Sequence, residues 1–233
     1  MRKEPTLADF DEFGFSVVRE LLSVEECEPL KAEAQAVLQG GDGGGHGVVV
    51  GMAVRSDLFR EFAAHPRILD ALERVLGPDI EFLSDKIVYK SATMDFASPW
   101  HQDWTYWEGA HKISVWIALD PANIENGCLK LVPGSHHNLM VHDGDASDGK
   151  GFGNRLKPDA VDETNTLVIP CNIGDAVLFH DLTLHASYPN ISGKDRWTLI
   201  STYRNAAEED LEYPWAVAAQ VVRGQKPKVA PGS

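Results

Sequence analysis

Cysteine is scarce. The 233 residues hold three, Cys27, Cys128 and Cys171, odd in number, widely spaced and without a CxxC pair. They read as buried free thiols in a reducing, cytoplasmic compartment rather than as a disulfide framework. Positive charge is also short: Lys plus Arg is 21 against 35 Asp plus Glu, a formal net charge of −14. A chain with that field is a poor candidate for nucleic acid or an anionic membrane surface. No apolar run approaches the roughly 20 residues of a membrane helix, and Met1-Arg2-Lys3-Glu4-Pro5 turns acidic where a signal peptide turns apolar. Glycine at 20 and proline at 13 stand near ordinary usage, which removes collagen-like and low-complexity classes. What is left is 43% hydrophobic residues, enough to bury a core as a single domain over residues 1–233.

The first third, to about residue 79, reads mostly helical. Ser23-Val24-Glu25-Glu26 has capping-box spacing, and Leu30, Ala34, Val37 and Leu38 follow on one helical face. Pro29 inside this run predicts a helix that is bent or begins later than the cap suggests. The glycine tract 40–47 lacks the GxxxxGK[ST] pattern and follows no strand, so it reads as a flexible loop and not a phosphate cradle. Pro66 suits the first turn of a helix carrying Ile68, Leu69, Leu72, Val75 and Leu76, ended by Gly77-Pro78. From residue 80 the pattern turns to strands, expected over 80–91, 112–119, 128–132, 166–169, 176–180, 183–187 and 197–203. Turn clusters such as Glu125-Asn126-Gly127 and Asn172-Ile173-Gly174-Asp175 separate them. Short strands at this spacing suggest a sandwich or barrel. The polar, glycine-rich segment 141–164 breaks the rhythm and reads as a lid over the site.

The chemistry concentrates in Trp100-His101-Gln102-Asp103-Trp104. On an extended strand, residues i and i+2 share a face, so His101 and Asp103 aim an imidazole and a carboxylate at one point. A second histidine follows late in the strand region, His180 or His185. Two histidines and one carboxylate on a rigid β scaffold, with open positions left, form the facial triad of non-haem Fe(II) oxygenases. His185 is the better third ligand, because it opens the His185-Ala186-Ser187 segment before a turn from which Arg196 returns. His180 reads as a hydrogen-bonded core or rim histidine. Arg196 offers a planar fork for a carboxylate; 2-oxoglutarate has that need at its distal end, while its 2-oxo acid end chelates iron.

With these segments go Asp85-Lys86-Ile87-Val88-Tyr89-Lys90, Val115-Trp116-Ile117-Ala118-Leu119, Glu125-Asn126-Gly127-Cys128-Leu129 and Val132-Pro133-Gly134-Ser135-His136. In this order and spacing the chain resembles the phytanoyl-CoA dioxygenase family of Fe(II)/2-oxoglutarate oxygenases, over roughly residues 80–204. The resemblance implies a mainly β, double-stranded β-helix (a jelly roll, cupin-like) with the N-terminal helices packed outside. It implies iron on His101, Asp103 and His185 and a cosubstrate anchor at Arg196, with Lys86, Trp116 and Ser187 as further 2-oxoglutarate contacts. Asn126-Gly127 and the Pro133-to-His136 run match too, and read as turn-formers, with His136 a candidate pocket-liner. Trp104, Tyr106 and Trp107, just after the carboxylate, suggest walls for a small-molecule substrate.

The expected activity is hydroxylation, with 2-oxoglutarate and O2 consumed and succinate and CO2 released. Related halogenases carry a small residue at the carboxylate position; Asp103 argues against halogenation and leaves desaturation or ring closure open. The family name suggests an acyl-CoA substrate, but the acidic balance offers no evident basic patch for its phosphates, which favours a small free metabolite. The competing readings are a zinc hydrolase, which leaves Arg196 and Lys86 unexplained, and a non-redox metal-binding jelly roll.

Overall fold

The computed structural model describes residues 3–40, 47–144 and 153–226. Five helices are α1 (Phe10–Phe13), α2 (Val24–Gln39), α3 (Met52–Arg55), α4 (Asp57–Phe62) and α5 (Pro66–Leu76). The strands are β1 (Phe15–Val18), β2 (Val48–Val50), β3 (Ile80–Lys90), β4 (Ser98–His101), β5 (Lys112–Ala118), β6 (Leu129–Leu131), β7 (Leu167–Ile169), β8 (Ala176–His180), β9 (His185–Ser187), β10 (Arg196–Asn205) and β11 (Gln220–Arg223). They form a seven-stranded sheet in the order β1-β8-β5-β10-β3-β11, with β2 also on β3, and a four-stranded sheet in the order β4-β9-β6-β7. All the registered strand pairs are antiparallel. This is the expected two-sheet jelly roll with helices outside.

Alternation along the central strands explains the layering. Every residue of β5 is buried. Its Ile113, Val115 and Ile117, with Leu178 of β8 and Leu199 and Tyr203 of β10, pack outward against Leu30 and Ala34 of α2, Phe59 of α4 and Ile68 and Leu72 of α5. The alternate residues Trp116 and Ala118, with Val177 and Phe179, pack inward against Leu129, Leu131 and Ile169 of the smaller sheet. A strand apolar on both faces is what a sheet covered on both sides demands. Cys27, Cys128 and Cys171 are buried free thiols. No helix among the described residues is long and apolar enough to cross a membrane.

Two local expectations need correction. Helix α2 starts directly after Ser23, whose Oγ accepts the Glu26 N–H while the Glu26 carboxylate accepts the Ser23 N–H. Pro29 is tolerated inside it because both Pro29 and Glu25, whose carbonyl it leaves without a helical donor, lie on the exposed face. The strand expected over 183–187 begins only at His185; residues 181–184 instead make the turn that carries the chain from β8 in one sheet to β9 in the other. The short strands β1, β2, β4 and β11 carry no sequence pattern long enough to identify them.

Gly174 illustrates how tightly the turns are set. It sits at φ +84°, and a Cβ there would run into the Leu22 backbone carbonyl; the Leu22 N–H donates to the Gly174 carbonyl at 3.0 Å. Gly193 has a similar φ of +70° but open space around it. Gly193→Ala is therefore expected to cost about 1 kcal/mol of backbone strain. Gly174→Ala should cost about 2 kcal/mol or more, roughly 4–8 °C in a chain of this size. Thermal melts of the two variants side by side check this.

Candidate active site

The site is assembled where β4 and β9 pair. His101, the last residue of β4, is in register with His185, the first of β9, and their rings lie 4.1 Å apart between centroids. Gln102 remains extended and delivers Asp103 to the start of a short 3-10 turn, Asp103–Tyr106. Gln102 itself is fully buried and turned away. Its amide donates to the carbonyls of Asn138 and Leu182 at 2.8 and 2.6 Å and accepts the Met140 N–H at 2.8 Å. That clamp holds its two neighbours on a common side.

Asp103 Oδ1 lies 3.5 Å from His101 Nε2 and 3.8 Å from His185 Nε2. The opposite ring nitrogens are occupied: His101 Nδ1 is 2.8 Å from the Pro99 carbonyl and His185 Nδ1 is 2.9 Å from the Thr183 carbonyl. A carbonyl can only accept, so each Nδ1 carries the proton and each Nε2 presents a lone pair to the centre. Asp103 Oδ2 accepts from Ser114 Oγ at 3.3 Å. Burial, then the neighbouring His101, pushes His185 down to about 3, so it stays a neutral donor. Burial works against ionisation of Asp103, yet the His185 and His101 imidazoles and the Lys86 ammonium hold the carboxyl below the ordinary range. Two convergent imidazole lone pairs and one ionised carboxylate, oriented from behind by carbonyls and a hydroxyl, fit a divalent cation such as Fe(II) with positions left open.

The triad lines a cavity of about 510 Å³ that runs between the sheets and also takes in Lys86, Trp116, Ser187 and Arg196. Arg196 is buried, opposite Lys90 in the β10–β3 register. Its guanidinium donates to Thr198 Oγ1 at 2.8 Å and to the Gly127 and Asn126 carbonyls at 3.2 and 3.4 Å. The Trp116 ring lies 5.8 Å away. Every one of these acceptors is neutral, and no carboxylate pairs with Arg196 among the described residues. Burial lowers it to about 10, which still leaves it charged at neutral pH. An unpaired buried guanidinium at the end of a cavity is a receptor for an anion.

Of the residues singled out from sequence, Tyr106 and Trp107 also line the cavity, whereas Trp104 and His136 do not. In a 3-10 turn residues three apart eclipse, so Tyr106 follows Asp103 inward while the Trp104 indole bonds back to the Gly109 carbonyl. His136 stacks on His137 and His180 under Gly14, away from the triad. His180 belongs with His111 and Asp181 in a second group of possible ligand atoms. That group is already saturated. The Asp181 carboxylate takes His111 Nδ1, Trp107 Nε1 and the Lys112 N–H, and His180 Nδ1 accepts the Leu182 N–H. It latches the 181–184 turn. Sequence reading passed over Lys90, Phe96 and Trp215. Lys90 was signalled by period two from Lys86 on one strand face; Trp215 lies beyond the last patterned segment and had no signal.

Part of the expected lid, residues 145–152, and residues 41–46 of the glycine tract lie outside the described residues. The described flanks of the first are tied to β4 and the turn after it. The Leu156 N–H donates to the Trp100 carbonyl at 2.9 Å, and Tyr106 Oη to the Asn154 carbonyl at 3.1 Å.

His101→Ala, Asp103→Ala and His185→Ala are each expected to abolish stoichiometric Fe(II) or Co(II) binding in anaerobic titrations while leaving the circular-dichroism spectrum folded. His180→Ala should keep the metal. Metal loss in the His180 variant with retention in the His185 variant would reverse the ligand assignment.

The sequence profile of the phytanoyl-CoA dioxygenase (PhyH) family matches residues 10–198. Among characterised sequences, the L-proline trans-4-hydroxylase of Streptomyces griseoviridis is 30% identical over 161 residues, 59% of this chain and 59% of that one. The ectoine dioxygenase of Nocardia farcinica is 24% identical, over 91% of this chain and 81% of that one. The chain spans about half the length of most of the curated relatives it matches. Among solved structures, the epimerase SnoN in complex with Fe3+, alpha ketoglutarate and nogalamycin RO superposes with a TM-score of 0.75 at 22% identity, covering 91% of this chain and 86% of that one. The length of the profile match, which takes in every residue of the triad and Arg196, establishes that the chain belongs to the PhyH family.

Proposed function

We propose that the protein is an Fe(II)- and 2-oxoglutarate-dependent dioxygenase that hydroxylates a small-molecule metabolite, releasing succinate and CO2. One observation carries the reading: a single cavity joins a convergent His-Asp-His triad to a buried guanidinium with no carboxylate partner among the described residues. A zinc hydrolase needs the first feature and not the second. Fe(II), held by His101, Asp103 and His185, would supply the redox chemistry that couples decarboxylation of 2-oxoglutarate to substrate oxidation by O2.

The chain's own residues do the rest. Arg196 fixes the distal carboxylate, its fork aimed by the Asn126 and Gly127 carbonyls. Trp116 forms the wall between anchor and metal, Ser187 donates from β9, and Lys86 places a positive charge beside Asp103. Val48, Val50, Phe96, Tyr106, Trp107 and Trp215 line the remaining volume. These walls are apolar and aromatic. Among the described residues the cavity's cationic side chains are Lys86 and Arg196, too few for the phosphates of coenzyme A. They support a free, compact, largely uncharged substrate with an apolar or aromatic face.

The test is succinate formation that requires both 2-oxoglutarate and a candidate metabolite. Absence of any 2-oxoglutarate-dependent succinate, coupled or uncoupled, would sink the reading. Arg196→Ala removes charge-assisted hydrogen bonds of about 1.5–3 kcal/mol, and so is expected to weaken 2-oxoglutarate binding by about one to two decades. Anaerobic titration of the Fe(II) charge-transfer band measures that change.

A further inference from the structure

The Ser187 hydroxyl is constrained more than its place in the cavity wall requires. Its Oγ accepts two hydrogen bonds, from Lys90 Nζ at 2.8 Å and from the Ser98 N–H at 3.2 Å. A hydroxyl has two acceptor lone pairs and one proton. With both lone pairs engaged, the only capacity left is to donate, and no acceptor for that proton is found among the described residues.

Lys90, which sets this state, is itself fixed. It is fully buried and donates a second bond to the Tyr188 carbonyl at 2.6 Å. The Phe96 ring lies 5.1 Å from Nζ. Gly127 makes room for it: at φ +97°, a Cβ on Gly127 would stand 2.9 Å from Lys90 Cδ and 3.0 Å from Nζ. No carboxylate pairs with Lys90 among the described residues.

We propose that Lys90 is a positioning residue for the cosubstrate: it occupies the acceptor side of Ser187 so that the hydroxyl must donate to the distal carboxylate held by Arg196, and its own unpaired charge helps compensate that carboxylate. The inference rests on the proposed role of Arg196 and deepens it. It assigns a task to a lysine that does not line the cavity, and a reason for glycine at position 127.

A consequence follows for protons. Around Lys90 the titratable and charged groups are Arg196 from β10, the Cys128 thiol ahead of β6 and Tyr188 after β9. Burial pushes Cys128 up to about 11 and raises Tyr188, so both are neutral. Burial first, and then Arg196, lowers Lys90 to about 6. An arriving carboxylate favours the charged ammonium and raises that value. Binding above pH 6 therefore takes up a proton, and 2-oxoglutarate affinity falls as pH rises from 6.5 towards 8.5.

The experiment is calorimetric titration of 2-oxoglutarate into the anaerobic Fe(II) protein across that pH range, in buffers of different ionisation enthalpy. Wild type should take up a substantial fraction of a proton at neutral pH. Lys90→Met, close in size and without the charge, should bind about ten-fold or more weakly at pH 6.5, with a flat pH profile and no uptake. Ser187→Ala should weaken binding yet keep the uptake, since Lys90 remains. Thermal melts establish that each variant is folded. Unchanged affinity in either variant, or uptake that persists in Lys90→Met, overturns the proposal. A wild-type protein that does not bind 2-oxoglutarate, or an Arg196→Ala variant that binds it normally, would instead overturn the function on which the proposal rests.

Discussion

Arg196 and Lys90 stand opposite each other on β10 and β3, both buried, and neither meets a carboxylate among the described residues. Taking an ion out of water costs several kcal/mol even after relaxation, so this pairing of like charges needs compensation. Among the described residues their hydrogen-bond acceptors are neutral: the carbonyls of Asn126, Gly127 and Tyr188 and the hydroxyls of Thr198 and Ser187. The guanidinium stays charged all the same, while burial and then the neighbouring Arg196 lower the lysine to about 6. In the proposed reading an incoming anion relieves this unfavourable pairing. The retention of two buried basic side chains here fits the proposed binding of an anion better than a role in folding.

The same sheet converts that constraint into a direction. On the inner face of β3, β10 and β5, the register sets Lys90 beside Arg196, then Val88, Thr198 and Ala118, then Lys86, Ile200 and Trp116, then Ser84, Thr202 and Ser114. Successive rows are about 6–7 Å apart. The first row is the anion end. The last touches the metal triad, since Ser114 donates to Asp103. Trp116 and Lys86 stand between. A dicarboxylate bridging the two ends has its orientation set by strand register before any loop is involved, which is why the triad can sit on the short β4 and β9 without losing its aim.

How much of this was legible in sequence depends on periodicity. His101, Asp103, His185 and Arg196 were readable because their spacing obeys the alternation of strands and the return of a hairpin. Trp104 falls outside the cavity because the chain leaves the strand at Asp103 and the eclipsing of a 3-10 turn takes over, favouring Tyr106. His136 also falls outside it, in another such turn that starts after Gly134 at φ +72°. Lys90 carries a fully regular signal, two residues beyond Val88 and four beyond Lys86. Its burial beside a second cation runs against every expectation from composition, and only packing reveals it. The edge strands β1 and β2 were invisible for a different reason: three or four residues paired to a longer neighbour owe their conformation to that neighbour.

The substrate side of the cavity is built on other principles. Trp215 reaches it from the segment after β10, where it packs 5.9 Å from Trp107 and 5.0 Å from Tyr213. That segment has little regular structure, and a polar network ties it down. Buried Lys112 donates to Asp210 at 3.0 Å and to Tyr213 Oη at 2.9 Å, while Arg204 lies 3.3 Å from the same Asp210 and pairs with Glu81. Removing one partner from such a network leaves a buried charge uncompensated, at about 3–5 kcal/mol. The segment is therefore fixed where it matters and free to vary in the residues it presents. In the proposed reading, metal and cosubstrate rest on strand register, which a single substitution does not move. Selectivity, in the same reading, rests on aromatic side chains of a strapped-down loop and of a 3-10 turn and on the valines of β2. That division lets one scaffold keep its oxidative chemistry while the apolar walls around the reacting carbon are exchanged.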